Sequence, residues 1–100
     1  MVNVTKRARQ ELKRILTVAV DMPQARLRLI DRGRGKLGLG IDVEMPGDKL
    51  IDHDGLTVLV IEPEFASSLT GVTIDVDNTS DGVELVVLDD SGSQIRQPVA

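Results

Sequence analysis

The residues whose types and spacing could support chemistry lie mainly in one glycine-rich loop, residues 32–40. Three cations alternate there with glycines, and the backbone N–H groups of such a loop can hold an anion. The cations can instead contact an acidic partner. The candidate anion-binding or partner-binding residues are Arg32, Gly33, Arg34, Gly35, Lys36 and Gly38. The alternative is a solvated turn between two strands.

The same glycines fit the G-x-G-x-x-G spacing of dinucleotide-binding loops. That site requires a helix beginning at the third glycine, so that its N-terminus meets the pyrophosphate. The residues after Gly38 alternate between apolar and polar or small side chains, which is typical of a strand. A dinucleotide site is therefore not expected.

Two further segments contain residue types that ligate metals, namely residues 77–82 and residues 52–54. Residues 77–82 resemble the first half of a calcium loop, but Leu88 occupies the twelfth position, where a bidentate acid is required. We therefore expect a hairpin turn. His53 lies between Asp52 and Asp54, and a metal site would need further ligands from elsewhere. We expect an exposed histidine in a turn.

No pair of residues has the spacing of a nucleophile and its base. Ser67 and Ser68 fall on a short predicted helix, while the single histidine falls in a turn. The acids are scattered at alternating strand positions, which is typical of solvated faces. The sequence thus satisfies no geometric requirement for an active site. We predict that the protein is not an enzyme and takes no cofactor.

Composition restricts the class of protein. One hundred residues with 41% hydrophobic content predict one domain with a modest core. The chain has no cysteine, no apolar run of membrane-spanning length and no apolar targeting stretch, so a cytoplasmic location and no membrane partner are expected. Phe65 is the only aromatic residue, which disfavours nucleic acid as a partner.

Charge is unevenly distributed along the chain. Residues 1–36 carry ten Lys or Arg and three acids, a net charge of +7, whereas residues 37–100 carry two and thirteen, a net charge of −11. The whole chain therefore carries −4. Either the halves neutralise each other across one small fold, or the first third forms a basic face for an acidic partner or nucleic acid.

The elements that position the loop follow from periodicity. Thr5 is a plausible helix cap, and apolar residues at helical spacing follow it until Pro23 ends the pattern. Alternation predicts strands at 25–30, 39–45, 49–51, 56–61, 72–76 and 83–88, with a short helix at 63–69. This order predicts an α+β fold with a small, curled, mostly antiparallel sheet closed by both helices.

We predict one domain over residues 1–90 and a flexible C-terminal tail over residues 91–100. The expected core consists of Leu12, Ile15, Leu16, Leu27, Leu29, Ile41, Val43, Val58, Val60, Phe65, Leu69, Ile74, Val83 and Leu85.

Spaced elements of the chain resemble the HesB-like A-type iron–sulfur cluster carriers over residues 4–88. The elements that carry the resemblance are Val4-Thr5 with Ala8 and Leu12, Leu27-Arg28-Leu29 before the glycine loop, Asp54-Gly55, Val58-Leu59-Val60, Phe65, Leu69, Gly71 and Ile74-Asp75. The resemblance implies the fold of that family.

The family binds its cluster or iron through three cysteines, one in a G-G-C-S-G loop and two in a C-terminal C-G-C. Lys36 occupies the first of these positions, Leu37 occupies the serine position, and residues 89–100 contain no sulfur. Cluster iron is held overwhelmingly by thiolates, and a lysine ammonium has no lone pair to donate. The resemblance therefore implies the scaffold without its ligands.

We accordingly predict a protein-binding or regulatory module with an unidentified protein partner, as a monomer or weak homo-oligomer. Its expected contact surface is the loop together with the basic face of the first helix. The alternative is an iron or other metal carrier that uses His53 and acids as ligands.

Overall fold

The computed structural model describes residues 2–19, 21–34, 36–95 and 99. In chain order the elements are β1 (Asn3–Val4), α1 (Lys6–Ala19), β2 (Ala25–Gly33), β3 (Lys36–Val43), β4 (Lys49–His53), β5 (Leu56–Ile61), α2 (Pro63–Ser68), β6 (Thr73–Thr79) and β7 (Gly82–Leu88). The predicted α+β class is confirmed, as are both helices. No described helix is long and apolar enough to cross a bilayer.

The strands form two sheets. One has the order β3-β2-β5-β4 and the other β1-β6-β7. Most pairs are antiparallel, as predicted, but β2 pairs with β5 in parallel and β1 pairs with β6 in parallel. Strand β1 was not predicted because two residues are too few to show alternation.

Helix α1 packs against strands of both sheets, namely β2, β4, β5 and β6. Its apolar stripe buries Ala8, Leu12 and Leu16. The predicted cap is confirmed, since the Thr5 hydroxyl accepts a hydrogen bond from the Ala8 N–H at 3.1 Å. The same hydroxyl donates to the Asp75 carboxylate at 2.7 Å, which ties the helix start to β6.

Most of the predicted core is buried, but three positions are wrong. Ile41, Val43 and Val83 are 59%, 43% and 49% exposed. Ile41 lies opposite the buried Leu27, so both face the same side of the sheet. Ile41 and Val43 are exposed because β3 is an edge strand, while the elements packed against α1 begin at β2. Val83 is exposed because it pairs with the exposed Asn78 beside the turn between β6 and β7.

Other side chains differ from the prediction in smaller ways. Ile15 and Phe65 are half-buried against the core rather than inside it. Conversely Leu37, Leu59 and Ile61 are fully buried although the expected core did not include them. The core therefore lies under α1 between the two sheets, and it extends towards the start of β3.

Described residues of the C-terminal segment bond to β7. The N–H of Ile95 donates to the Val87 carbonyl at 3.0 Å, and the N–H of Val99 donates to the Leu85 carbonyl at 2.9 Å. Arg96, Gln97, Pro98 and Ala100 lie outside the described residues. The domain boundary at residue 90 and the flexibility of the tail stay predictions.

Candidate functional site

The glycine loop is a tight hairpin between β2 and β3. Gly33 pairs with Lys36, and both Gly33 (φ +82°) and Arg34 (φ +55°) have left-handed backbone conformations. A positive φ at Arg34 suits the first residue of a two-residue hairpin connection, and a positive φ at Gly33 suits a glycine beside a β-bulge. The Asp31 carboxylate accepts the Gly33 N–H at 2.8 Å, which further fixes the turn. Predicted site residue Gly35 lies outside the described residues.

Three cations project from this hairpin. Arg32, Arg34 and Lys36 are exposed, and none forms an ion pair with another described residue. Arg32 falls at a register shift between β2 and β3, where a bulge re-aims a side chain. We call Arg32, Arg34 and Lys36 the hairpin cations.

The glycines that follow serve packing. Gly38 lies within β3 rather than at a helix N-terminus, as the strand prediction required. A Cβ at Gly38 would collide with the Arg32 side chain, so Arg32 lies across the strand there. A Cβ at Gly40 would collide with Ile30 in the same way. Since the Gly33 N–H is already bonded to Asp31, the hairpin offers its side chains to a partner before its backbone.

The predicted contact surface also included the basic face of α1. The C-terminal half of that face, with Lys13 and Arg14, lies away from the hairpin. The C-terminal end of α1 lies beside the start of β2, where Leu16 and Ala25 line one cavity. The hairpin lies at the other end of this nine-residue strand, about 26 Å away along the strand direction. Arg14 is also engaged, because Glu11 accepts two hydrogen bonds from it, at 2.8 and 2.7 Å.

The prediction of an exposed His53 is wrong. His53 is the last residue of β4 and is 9% exposed, with its Nε2 atom 3.3 Å from the Asp54 carboxylate. It lines a shallow cavity of about 330 Å³ together with Lys13, Arg14 and Thr17 of α1. Within the described part of the chain, no three or more metal-ligating side chains cluster around it or elsewhere.

A network surrounds Arg28, although its position between Leu27 and Leu29 in an alternating strand predicts a solvated side chain. The Arg28 side chain is 17% exposed and donates to both oxygens of Asp48, at 3.1 and 2.6 Å. It also donates to Asp42 at 2.8 Å and to the Val43 carbonyl at 3.1 Å. Asp48 in turn accepts the Met45 N–H at 2.8 Å.

This network has an electrostatic signature. The hydrogen bonds from the Arg28 guanidinium hold the pKa of Asp48 below its usual range. They also raise the pKa of Arg28, with Asp48 as the larger cause and Asp42 as a smaller one. A sequence signal did exist, since an arginine on a predicted strand preceded two acids near a turn. Its partners, however, are 14 and 20 positions away.

A cleft of about 650 Å³ adjoins this network. Its walls are residues 28–31 of β2, residues 45, 46 and 48 before β4, and residues 62–65 at the start of α2. It opens where the pairing between β2 and β5 ends, at Arg28 and Val60, so that β2 continues without a neighbour from β5. The lining includes one cation, Arg28, and four carboxylates, Asp31, Asp48, Glu62 and Glu64.

Comparisons with known proteins place this geometry in context. The chain is 34% identical over 91 residues to a Cereibacter sphaeroides protein named for its position in the nifU 5′ region, and the match covers 86% of this chain and 84% of that protein. No family model matches the chain.

Solved structures share the fold. The crystal structure of IscA with the [2Fe–2S] cluster matches with a TM-score of 0.60 and 25% identity, over 96% of this chain and 97% of that one. Escherichia coli SufA, involved in the biosynthesis of iron–sulfur clusters, matches with a TM-score of 0.57 and 18% identity, over 88% of this chain and 79% of that one.

The residues present do not fit an iron–sulfur cluster. The chain contains no cysteine, and the hairpin, which the resemblance identifies with the family's first ligand loop, carries the exposed ammonium group of Lys36. The chain thus has the fold of the carriers but not their cysteine ligands. By fold and relatives, the chain belongs to the HesB-like A-type iron–sulfur carrier family, of which it is a cysteine-free member.

Proposed function

We propose that this chain is a non-catalytic, cytoplasmic protein-binding domain that contacts an acidic surface of a partner protein through its hairpin cations. The observation that carries the proposal is that Arg32, Arg34 and Lys36 are all exposed and lack intramolecular ion pairs among the described residues. The resemblance to the carriers assigns Lys36 to the position of the family's first sulfur ligand.

The hairpin is suited to recognition because its conformation is restricted before binding. Its turn is fixed by Gly33, Arg34 and the bond to Asp31, and Arg32 rests along Gly38. A pre-ordered contact surface loses less conformational entropy on association. Three like charges in this small area also accelerate encounter with an acidic surface and penalise a basic one.

The relative from Cereibacter sphaeroides suggests where to begin. Its name places it in the nifU 5′ region, so the nifU product is the first partner to test. Proteins captured from a lysate of the source cell, treated with nuclease to exclude bridging nucleic acid, form the second arm.

The test compares three immobilised baits, which are the unaltered chain, R32A/R34A/K36A and a matched control K6A/R7A/K13A that removes three cations from α1. We expect the hairpin variant to bind the acidic partner about tenfold more weakly, because each exposed charge of the hairpin contributes modestly to binding. The control should bind the partner as tightly as the unaltered chain does, and its affinity should fall by the same factor as the salt concentration is raised.

Circular dichroism of all three baits confirms that they are folded. Equal partner lists and equal affinities from the unaltered chain and the hairpin variant would refute the proposal. Loss of binding in the α1 variant alone would refute it too, because the contact surface would then lie on the helix.

A further inference from the structure

Strand β3 lies at the edge of its sheet, and its outer side is open. The sheet has the order β3-β2-β5-β4, and β2 is the only described element that packs extensively against β3. An edge strand of this kind presents backbone N–H and C=O groups to which another extended chain can bond. The register of β3 against β2 determines which residues present them.

The hydrogen bonds at the end of β3 show which residues point outwards. Ala25 and Val43 are paired in register, but the N–H of each donates elsewhere. That of Ala25 bonds to the turn before β2 at 3.1 Å, and that of Val43 bonds to the Asp42 carboxylate at 2.8 Å. Hydrogen-bonded and non-hydrogen-bonded pairs alternate along an antiparallel ladder. Ile41 and Leu39, two and four positions earlier, therefore also direct their N–H and C=O groups away from β2.

Further along the edge, the protein satisfies its own outward groups. Besides the bond from the Val43 N–H to Asp42, the Val43 carbonyl accepts a hydrogen bond from Arg28 at 3.1 Å. Among the described residues, no side chain or loop bonds in this way to the backbone of Leu39 or Ile41. The stretch from Leu39 to Ile41 is thus the part of the edge that is free to bond to an added strand.

Apolar contact is available on both faces of this stretch. On the inner face, Ile41 is 59% exposed and Val43 is 43% exposed. On the outer face, a Cβ at Gly40 would collide with the Ile30 side chain, so Ile30 lies across β3 there. A strand placed beside β3 would cover these aliphatic groups as well as bond to the backbone, and cross-strand contacts of this kind stabilise a sheet.

The two ends of β3 differ in charge, which selects the partner. The hairpin cations lie at the start of the strand, whereas Asp42 and Glu44 lie at its end. Both acids are exposed, and Glu44 forms no ion pair with another described residue. A chain lying along β3 is favoured when its positive charge is placed beside Glu44 and kept away from the hairpin.

We propose that β3 binds an extended segment of a partner protein as an added strand. That segment alternates apolar with polar side chains and begins with Lys or Arg beside Glu44. It runs antiparallel to β3, which is the more stable pairing, and exchanges main-chain hydrogen bonds with Leu39 and Ile41. The proposal goes beyond the proposed function, because it uses the backbone of β3 rather than the hairpin cations.

Two isomeric peptides test the main-chain bonds. Both have the sequence Lys-Val-Thr-Val-Thr-Val-Thr, in which the fourth and sixth residues lie opposite Ile41 and Leu39. One carries N-methyl groups on the third and fifth residues, whose N–H groups point away from β3. The other carries them on the fourth and sixth, whose N–H groups point towards it. By fluorescence anisotropy, we expect the first peptide to bind at least about tenfold more tightly, because the second loses two ladder bonds.

Equal affinity of the two isomers would overturn the proposal, and so would failure of the first to bind at about 1 mM protein. Replacing its Lys with Glu should weaken binding several-fold at low salt, because the new carboxylate would lie beside Glu44. Equal binding of the Lys and Glu peptides would contradict the assigned direction. Sedimentation should show a one-to-one complex, and a chain that pairs with itself and excludes the peptide would overturn the proposal as well.

Variants of the protein provide the second test. Ile41→Pro removes one outward N–H that β2 does not use, and proline is tolerated at such edge positions. We expect it to bind the first peptide at least about fivefold more weakly, whereas the matched control Ile41→Val should bind it normally. A folded Ile41→Pro variant that binds normally would overturn the proposal, and the peptide isomers decide the question if circular dichroism shows this variant to be unfolded.

The hairpin variant R32A/R34A/K36A separates this proposal from the proposed function. It should bind the first peptide about as tightly as the unaltered chain does, since the ladder bonds remain. Loss of peptide binding in this variant would place the contact on the hairpin instead of the edge of β3. Conversely, Ile41→Pro leaves all three hairpin cations in place, so capture of an acidic partner through them should persist.

Discussion

At the scale of single residues, Arg28 joins three parts of the chain. Its guanidinium reaches Asp42 and the Val43 carbonyl at the end of β3, and Asp48 just before β4. The Asp48 side chain is only 3% exposed. Because a carboxylate withdrawn from water needs its partner, the pair fixes the connection between β3 and β4 more firmly than an exposed ion pair would.

Truncation of this cation should reveal its role. We expect Arg28→Ala to lower the free energy of unfolding by about 2 to 3 kcal/mol, because it leaves the Asp48 carboxylate covered and unpaired. Asp48→Asn should cost less, since the amide oxygen can still accept the Met45 N–H. Urea unfolding at pH 7 measures both, and Asp42→Asn, which removes the more exposed of the two carboxylates bonded to Arg28 (46% against 3% exposed), is the control with a smaller effect.

Acid titration adds a signed test of the same pair. The pKa of Asp48 is lower in the folded chain than in the unfolded chain, where it is about 3.9. Its contribution to stability is therefore complete above about pH 5 and is lost as pH falls through the lowered folded value. Asp48→Asn should lose less stability between about pH 5 and pH 2 than the unaltered chain. Equal losses would contradict this role for Asp48.

Residue identity alone could not have predicted these environments. His53, flanked by acids before a glycine, has the sequence context of an exposed turn residue, yet it ends β4 beneath α1. Arg28 alternates with buried leucines like any solvated strand residue, yet its guanidinium donates hydrogen bonds to three other residues. In both cases burial depends on what packs above the residue, which local periodicity does not record.

At the scale of elements, the edge strand β3 shows what alternation can and cannot predict. The pattern correctly predicted six of the seven described strands, and Ile41 does face the same side of the sheet as Leu27. It could not indicate that β3 lies at the edge of its sheet, because strand order depends on distant pairing. Ile41 therefore looked equivalent to Leu27, its partner in register, although the sheet centre is covered and the edge is open.

Paired truncations test this distinction. Leu59→Ala, in the middle of the sheet at 1% exposure, should lower the free energy of unfolding by about 3 kcal/mol through lost burial and a cavity. Ile41→Ala, at 59% exposure, should cost about 1 kcal/mol or less. Equal costs in urea unfolding would mean that the inner side of β3 is covered in solution.

At the scale of the whole molecule, fold and chemistry have separate determinants. The resemblance to the carriers rests on apolar spacing and turn glycines, which specify the scaffold, and these could be recognised from the sequence. The family's chemistry depends on three thiolates, and none is present. The candidate hairpin was likewise recognisable, whereas the adjoining cleft was not, since it forms only where β2 continues past β5.

Reconstitution tests this separation directly. Incubated anaerobically with ferrous iron and sulfide, the chain should remain colourless and free of bound iron after desalting. We expect the Lys36→Cys variant to stay colourless and free of bound iron as well, because one thiolate cannot replace the three that the family uses. IscA treated in parallel is the positive control. A brown product with stoichiometric iron and sulfide in the unaltered chain would contradict the proposed role.

The pairing of β1 with β6 has a consequence for biosynthesis. Val2 is buried, the Asn3 N–H donates to the Val72 carbonyl, and Thr5 contacts Asp75, 70 positions later. The segment at residues 2–5 thus acquires its neighbours in β6 only after about 70 further residues have been synthesised. Such distant closure slows folding. During translation the apolar stripe of α1 is therefore covered in stages, by β2, β4 and β5 first and by β6 last.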